Sequence, residues 1–315
     1  MKKRILTFIL LLSILLSACG NSATETAISA DTAVTFTDDL GRTVTVDSPE
    51  RVAALLGSFA QIWMLSGGKV CATADDAWDD LNLELSNDTV NLGNTKKLSL
   101  ELLLAAQPDF ILASTNTRQN VEWQDTLEST DIPIAYFDIS DFEDYLRLLK
   151  ICTDITGRKD LYEEHGTAVQ EQITAVLERS EQRLKDQGAP TVLSMVASAS
   201  AVYTKNSEGN VLGAMLKTLG CDNIADSDAT LLENLSIEHI LVSDPDYIFI
   251  VQRGDDEEGM RRYVSKYLME HPAWSQLTAV KNDRVYFMDK NLFNLKPNHR
   301  WGEAYEILEE ILSNE

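Results

Sequence analysis

Short apolar runs rich in branched residues alternate along most of this chain with segments whose apolar positions recur at helical spacing. The first kind predicts buried strands, and the second predicts helices that cover them. An alternating hairpin opens the series at Val34, VTFTDDLGRTVTV, with DDLG as its turn. RVAALLG then leads into SFAQIWMLSGG, KVCATA is followed by SLELLLAAQ, PDFILAS by VEWQDTLES, and IPIAYFD closes the half. The second half repeats the plan with APTVLSMVA, NVLGAMLKTLG, SIEHILVSD, PDYIFIVQ, DRVYFMD and the amphipathic ending WGEAYEILEEIL. Such alternation predicts a mainly parallel sheet in each half, with helices on both faces.

The two halves share a device. LSLELLLAAQPDFIL, from Leu98, aligns without a gap with LSIEHILVSDPDYIF, from Leu235. The repeat is therefore lobe-sized rather than a solenoid period. Between the halves, Asp160 to Gly188 holds no proline, and Leu161, Ala168, Val169, Ile173, Val176, Leu177 and Leu184 fall at helical spacing with charges on the other faces. A helix of that length spans about 40 Å. Placed between two like lobes, it predicts a rod that resists hinge closure. The expected fold is α/β: two similar three-layer lobes, 36–158 and 189–315, joined by one long rigid helix, 159–188, with a ligand cleft between them.

The opening of the chain follows another pattern. Lys2, Lys3 and Arg4 precede the apolar run ILTFILLLSILL, which is too short to span a bilayer comfortably, and LSAC ends at Cys19. Residues 1–19 read as an export signal. Residues 20–35 are small and polar and read as a flexible tether. Losing the three basic residues takes the formal charge from −23 to about −26. A surface this acidic argues against nucleic acid, whose phosphates it would repel. Cys71, Cys152 and Cys221 are an odd set and form no disulfide framework. The chain has no G-x-S-x-G, H-E-x-x-H or G-x-x-x-x-G-K-[ST], so an enzyme reading has no support.

Several stretches taken together carry a family resemblance: LSAC, FTDDLGRTVTVDSPERVAAL, LSLELLLAAQPDFIL, HPAWSQLTAVKNDRVYFMD and NLKPNHRWGEAYEILEEIL. With them, the chain resembles the substrate-binding lipoproteins of ABC importers for iron-siderophores, haem and cobalamin. The resemblance covers the chain from Phe36 onward. It implies a diacylglyceryl anchor on Cys19, an extracytoplasmic, membrane-anchored monomer on a Gram-positive cell, and no catalytic cofactor. The implied ligand is a ferric siderophore, haem, cobalamin or another metal chelate. The implied partner is an ABC permease dimer with its cytoplasmic ATPase. In the family one glutamate per lobe docks onto arginines of the permease, and the matching positions here are Glu101 and Glu238.

Ligands of open α/β sheets sit beyond the carboxyl ends of the strands. The candidate ligand-binding residues are therefore Ser58, Phe59, Trp78, Asn116 and Arg118 from the first lobe, and Tyr203, Lys205 and Arg253 from the second. Lys296, Asn298, His299, Arg300 and Trp301 precede the last helix and complete the set. Aromatic faces and cations on an acidic protein suit a large chelate with peripheral carboxylates. Trp78 and Trp301 as lobe core, and Arg118 and Arg253 as solvated loop charges, are the alternatives. With four histidines, only His299 lies at an expected cleft loop, which disfavours a bare manganese or zinc site. If the ligand is haem, His299 and Tyr203 are the candidate axial ligands.

Overall fold

The structure is a computed structural model that describes residues 33–233 and 235–314. Cys19, the export signal and most of the expected tether lie outside the described residues. Two strands, β1 (Ala33–Thr37) and β2 (Thr43–Asp47), pair as an antiparallel hairpin. The first lobe holds β3 (Val52–Ala54), β4 (Val70–Thr73), β5 (Val90–Asn91), β6 (Phe110–Ser114) and β7 (Ile134–Phe137). They form one parallel sheet in the order β5-β4-β3-β6-β7. Every residue of β3, β6 and β7 is buried, as expected where helices cover both faces. In β2, by contrast, Val44 and Val46 alternate with exposed neighbours, because only one face of the hairpin is covered.

The second lobe holds β8 (Thr191–Ser198), β9 (Ala201–Lys205), β10 (Asp222–Asn223), β11 (Tyr247–Gln252) and β12 (Val285–Met288). Its sheet runs β10-β8-β11-β12 in parallel, and β9 pairs antiparallel with β8. The candidates Tyr203 and Lys205 thus lie on a strand rather than beyond a strand end. β10 covers only Thr191 and Val192 of the long β8. The chain folds back at once and closes the remaining edge, Ser194 to Ser198, with β9. VEWQDTLES also differs from expectation: it belongs to two short helices, Arg118–Glu122 and Gln124–Glu128, that meet at Trp123.

The repeated stretch has a folding role in both copies. Ser99 and Ser236 cap their helices, each accepting from the backbone N–H three residues on. Gln107 and Asp244 occupy equivalent places and are left-handed, with φ of 50° and 40°, which ends each helix before the proline. The next aspartate ties the new strand to the first strand of its sheet. Asp109 accepts from the N–H groups of Glu50 and Arg51 at 2.8 and 2.9 Å. Asp246 accepts from the N–H and the hydroxyl of Thr191, both at 2.8 Å. The device therefore sets strand register once per lobe. The DDLGR turn is structural too: the buried Asp38 carboxylate accepts from the N–H groups of Leu40, Arg42 and Tyr136, fastening the hairpin to β7.

Helices Lys159–Tyr162 and Ala168–Gln187 run on from one another through a π turn, Glu163–Thr167. Val169, Ile173 and Val176 are buried, and the last helix, Trp301–Ser313, packs alongside. Arg183 and Glu309, each with 4% of its side chain exposed, pair between these helices at 3.1 Å, and Arg183 also donates to the Leu219 carbonyl. Trp301 is fully buried, with its ring 6.2 Å from Phe142 of the first-lobe helix Phe142–Thr156.

Breaking the buried pair leaves one charge stranded. Arg183→Ala should cost about 3–5 kcal/mol in urea denaturation, whereas Arg183→Leu combined with Glu309→Leu should recover most of that loss. A single variant as stable as the parent would contradict this placement of the pair.

Candidate functional site

In the order β5-β4-β3-β6-β7 the chain reverses direction between β3 and β6, and in β10-β8-β11-β12 between β8 and β11. Crevices form at such reversals, beyond the carboxyl ends of the strands. A cavity of about 380 Å³ lies there. The first lobe contributes Asn116, after β6, and Ile139 and Ser140, after β7. The second contributes Ser194 and Val196 of β8, Lys205 at the end of β9, Val251, Arg253 after β11, and Gly209 to Leu212. Phe293, Asn294 and Lys296 of the segment before the last helix complete the lining.

The electrostatics of this cavity are unlike those of the rest of the surface. Asp138 is held on the first-lobe side, accepting from the Asn116 amide and, at 3.2 Å, from the Ser140 hydroxyl. Lys205, Arg253 and Lys296 all line the cavity, and among the described residues none of the three is ion-paired. Most other cations are paired: Arg147 with Asp39 and Asp144, Arg300 with Glu303, and Lys290 with Asp80 and Asp255, for example. Burial pushes the Lys296 ammonium below the usual lysine range, while Asp138 pulls it back up. The helix Val211–Thr218 also begins at the cavity wall, its N-terminus capped by Asn210, whose side chain accepts from the Gly213 N–H at 2.9 Å. Unpaired cations and a helix start favour an anion.

Beside this cavity a wider, acidic groove of about 780 Å³ is lined by Asp79, Asp255, Glu257, Asp289, Arg261 and Lys290, among others. Lys290 bridges it, donating to Asp80 of the first lobe at 2.7 Å and to Asp255 of the second. At the start of the helix Gly57–Leu65, the Asp76 carboxylate accepts from the Gly57 N–H at 2.9 Å. A Cβ on residue 57 would lie 2.6 Å from the Ala77 nitrogen, so only glycine lets these two backbones approach.

The expected site residues separate into two groups. Asn116, Lys205, Arg253 and Lys296 meet at the cavity. Phe59 and Trp301 are fully buried in the core, Ser58 is buried at the start of its helix, and none of the three lines the cavity. Asn298 is a brace: fully buried and left-handed at φ 53°, it donates to the Ser58 carbonyl at 3.0 Å and the Gln61 side chain at 2.7 Å, joining the last segment to the first lobe. Trp78 is half-buried on the short helix Asp76–Asp79. Arg118 is exposed and pairs with Glu122 at 2.6 Å, and Arg300 with Glu303 at 2.7 Å. Neither candidate axial ligand lines the cavity: Tyr203 stands half-exposed on β9, and the His299 ring lies 6.1 Å from His165 of the π turn. Among the described residues no three His, Cys, Asp or Glu side chains are grouped as a metal site. Ser140 and Asn210 were missed by sequence reasoning, although each follows the same rule: one succeeds the strand run IPIAYFD and the other caps NVLGAMLKTLG. Glu101 and Glu238 are both exposed in the first turns of their helices, one on each lobe.

Comparison with known proteins places this geometry. The model of a periplasmic binding protein family matches residues 52–292, and the chain belongs to that family. A putative ABC transporter substrate-binding lipoprotein of Bacillus subtilis, YhfQ, is 24% identical over 98% of this chain and 97% of its own. The Fe(3+)-citrate-binding protein YfmC of the same organism is 26% identical over 91% of this chain and 89% of its own. Among solved structures, Staphylococcus aureus SirA complexed with staphyloferrin B superposes with a TM-score of 0.70 at 21% identity, covering 90% of this chain and 99% of SirA. S. aureus IsdE complexed with heme gives 0.68 at 15% identity, covering 84% and 99%. The chain is a substrate-binding protein, not an enzyme. No helix of the described residues is long and apolar enough to cross a membrane.

The start of the Gly57–Leu65 helix makes a pH prediction. Burial pushes the Asp76 carboxyl up to about 6, with Asp80 and Asp75 adding to the rise against the Gly57 N–H bond. A raised carboxyl pKa means that ionisation costs more in the folded state, so the penalty is absent below about pH 4 and full above about pH 6. Asp76→Asn should therefore stabilise the protein by up to about 3 kcal/mol at pH 7 and by nothing at pH 3.5. Thermal denaturation at the two pH values checks this, and an equal effect at both would contradict it.

Proposed function

From membership in that family we propose that this chain captures an anionic, carboxylate-bearing iron chelate between its lobes and hands it to an ABC importer. The observation that carries the reading is the convergence of Lys205, Arg253 and Lys296, unpaired, on one cavity of a chain whose formal charge is −23. Guanidinium and ammonium groups pair carboxylates strongly when partly desolvated, and the helix start at Val211 adds to the same field. Among the described residues, Phe293 is the one aromatic lining the cavity, and it is nearly fully buried. A planar macrocycle held by stacking fits such a wall less well than a compact chelate held by charge. The names of two similar proteins agree, since one binds Fe(3+)-citrate and the other is complexed with staphyloferrin B.

In this reading Cys19 carries the lipid anchor, residues 20–35 are the tether, and the helical run Lys159–Gln187 keeps the lobes from hinging widely. Glu101 and Glu238 meet the two like subunits of the permease. Asn116 and Ser140 hold Asp138 by hydrogen bonds, while Lys296 keeps no ion-pair partner among the described residues.

Titration of the tether-free protein with ferric citrate, followed by intrinsic fluorescence, tests the ligand. Lys205→Ala, Arg253→Ala and Lys296→Ala should each weaken binding about tenfold, roughly 1.4 kcal/mol, and the triple variant should abolish it. Unchanged affinity in the triple variant, or a Soret band on the protein as purified, would defeat the proposal. In cells, Glu101→Gln with Glu238→Gln should stop iron uptake while the purified double variant binds ferric citrate as the parent does. Uptake at the parental rate would remove the docking role from both glutamates.

A further inference from the structure

We propose that the second lobe docks through a groove built to accept an arginine, in which the stacked rings of Tyr263 and Tyr267 flank Glu238. The inference rests on the docking role given to Glu238 above and names what else the partner touches. A groove of about 400 Å³ is lined by Val202, Leu235, Ile237 and Leu268, with Ser236, Glu238 and the two tyrosines. The tyrosines stand one turn apart, where the helix Glu257–Val264 runs into the π turn Ser265–Met269. Their rings are 4.2 Å apart and 24° from parallel. Tyr267 is 56% exposed, and among the described residues neither tyrosine hydroxyl is hydrogen-bonded.

The chemistry of this groove selects its occupant. Glu238 has no cation paired to it among the described residues; its carboxylate accepts from the Ser236 hydroxyl at 2.8 Å. Backbone and Ser236 hydrogen bonds hold it below the usual glutamate range, so it is ionised. A free carboxylate beside exposed aromatic faces on an apolar floor suits a guanidinium, which stacks on a ring through its plane while its edge pairs the carboxylate. The Tyr267 ring already attracts a cation, since the Lys266 Nζ lies 5.5 Å from its centre. That flexible side chain is one an incoming arginine displaces.

Beside Glu101 in the first lobe, the exposed chain neighbours are Leu102 and Leu104. His239 holds the place of Leu102 in the second copy, but it is turned to its own lobe, 2.9 Å from the Thr230 hydroxyl and 3.5 Å from Asp228. What the second lobe offers the partner beside its glutamate is therefore the tyrosine pair rather than His239.

The test uses the full-length lipoprotein in cells lacking the native gene, with ⁵⁵Fe supplied as ferric citrate. Tyr263→Ala with Tyr267→Ala, and the exposed Tyr267→Ala alone in case the pair perturbs folding, should raise the half-saturating concentration for uptake about tenfold. Affinity of the purified variants for ferric citrate should not move. Tyr263→Phe with Tyr267→Phe, which keeps the faces, should import as the parent does, and Glu238→Gln should impair uptake more than Glu101→Gln. Parental uptake by the alanine variants alongside a defective Glu238→Gln would overturn the groove and leave the docking reading standing. Parental uptake by all of them would remove both. Independently of the ligand, a benzophenone side chain at position 267 should crosslink in whole cells to an arginine-bearing loop of an ABC permease subunit, and crosslinking only to other proteins overturns the proposal.

Discussion

The buried pair of Arg183 and Glu309 is the constraint on which the geometry of this protein depends. It fixes the helical run between the lobes against the last helix, and among the described residues it is the ion pair with both side chains almost fully withdrawn from water. From that spine the two lobes are braced to each other. Trp301 packs on Phe142, Asn298 donates to the backbone of Ser58, and Lys290 sits between Asp80 and Asp255. Each brace crosses from the second half of the chain to the first. Ties of this kind resist hinge motion, and in the proposed reading selection therefore falls to the charges already in place.

Those charges work against a general field. With a formal charge of −23, the protein repels an anionic chelate at long range. Attraction can win only where cations are close and partly shielded from salt, within about 10 Å at moderate ionic strength. Lys205, Arg253 and Lys296 line the cavity without an ion pair among the described residues, and Asp138, which acts on Lys296, is hydrogen-bonded by Asn116 and Ser140. Glu101 and Glu238 are two among many carboxylates, and each stands at the same step of the repeated stretch, in the first turn of its helix.

The sequence carried the architecture well because the architecture is local. Alternation of apolar runs and helical spacing located the long core strands of both sheets but not the two-residue β5 and β10 or the edge strand β9, and the Leu98 and Leu235 repeats marked equivalent steps. What periodicity does not carry is which loop residues face the cleft and which tie the lobes together. Asn298 and Lys296 are two residues apart in the same polar segment, yet one is a fully buried brace and the other lines the cavity. Their difference is set by a left-handed turn at Asn298, which no hydrophobic pattern announces. β9 was hidden for a related reason: its presence depends on how little of β8 is covered by β10, a fact of pairing rather than of composition.

Comparison of the two copies of the repeated stretch shows where one plan has been kept and where it has parted. The serine caps, the left-handed residues at Gln107 and Asp244, and the aspartates at 109 and 246 do the same work in each lobe, because each sheet needs its next strand in register. The positions facing outward differ: Leu102 against His239, and exposed leucines against a groove that holds two stacked tyrosines. Folding acts on each lobe separately and therefore demands equal devices. The docking role proposed for the outward positions places no such demand, so those positions are free to differ between the lobes.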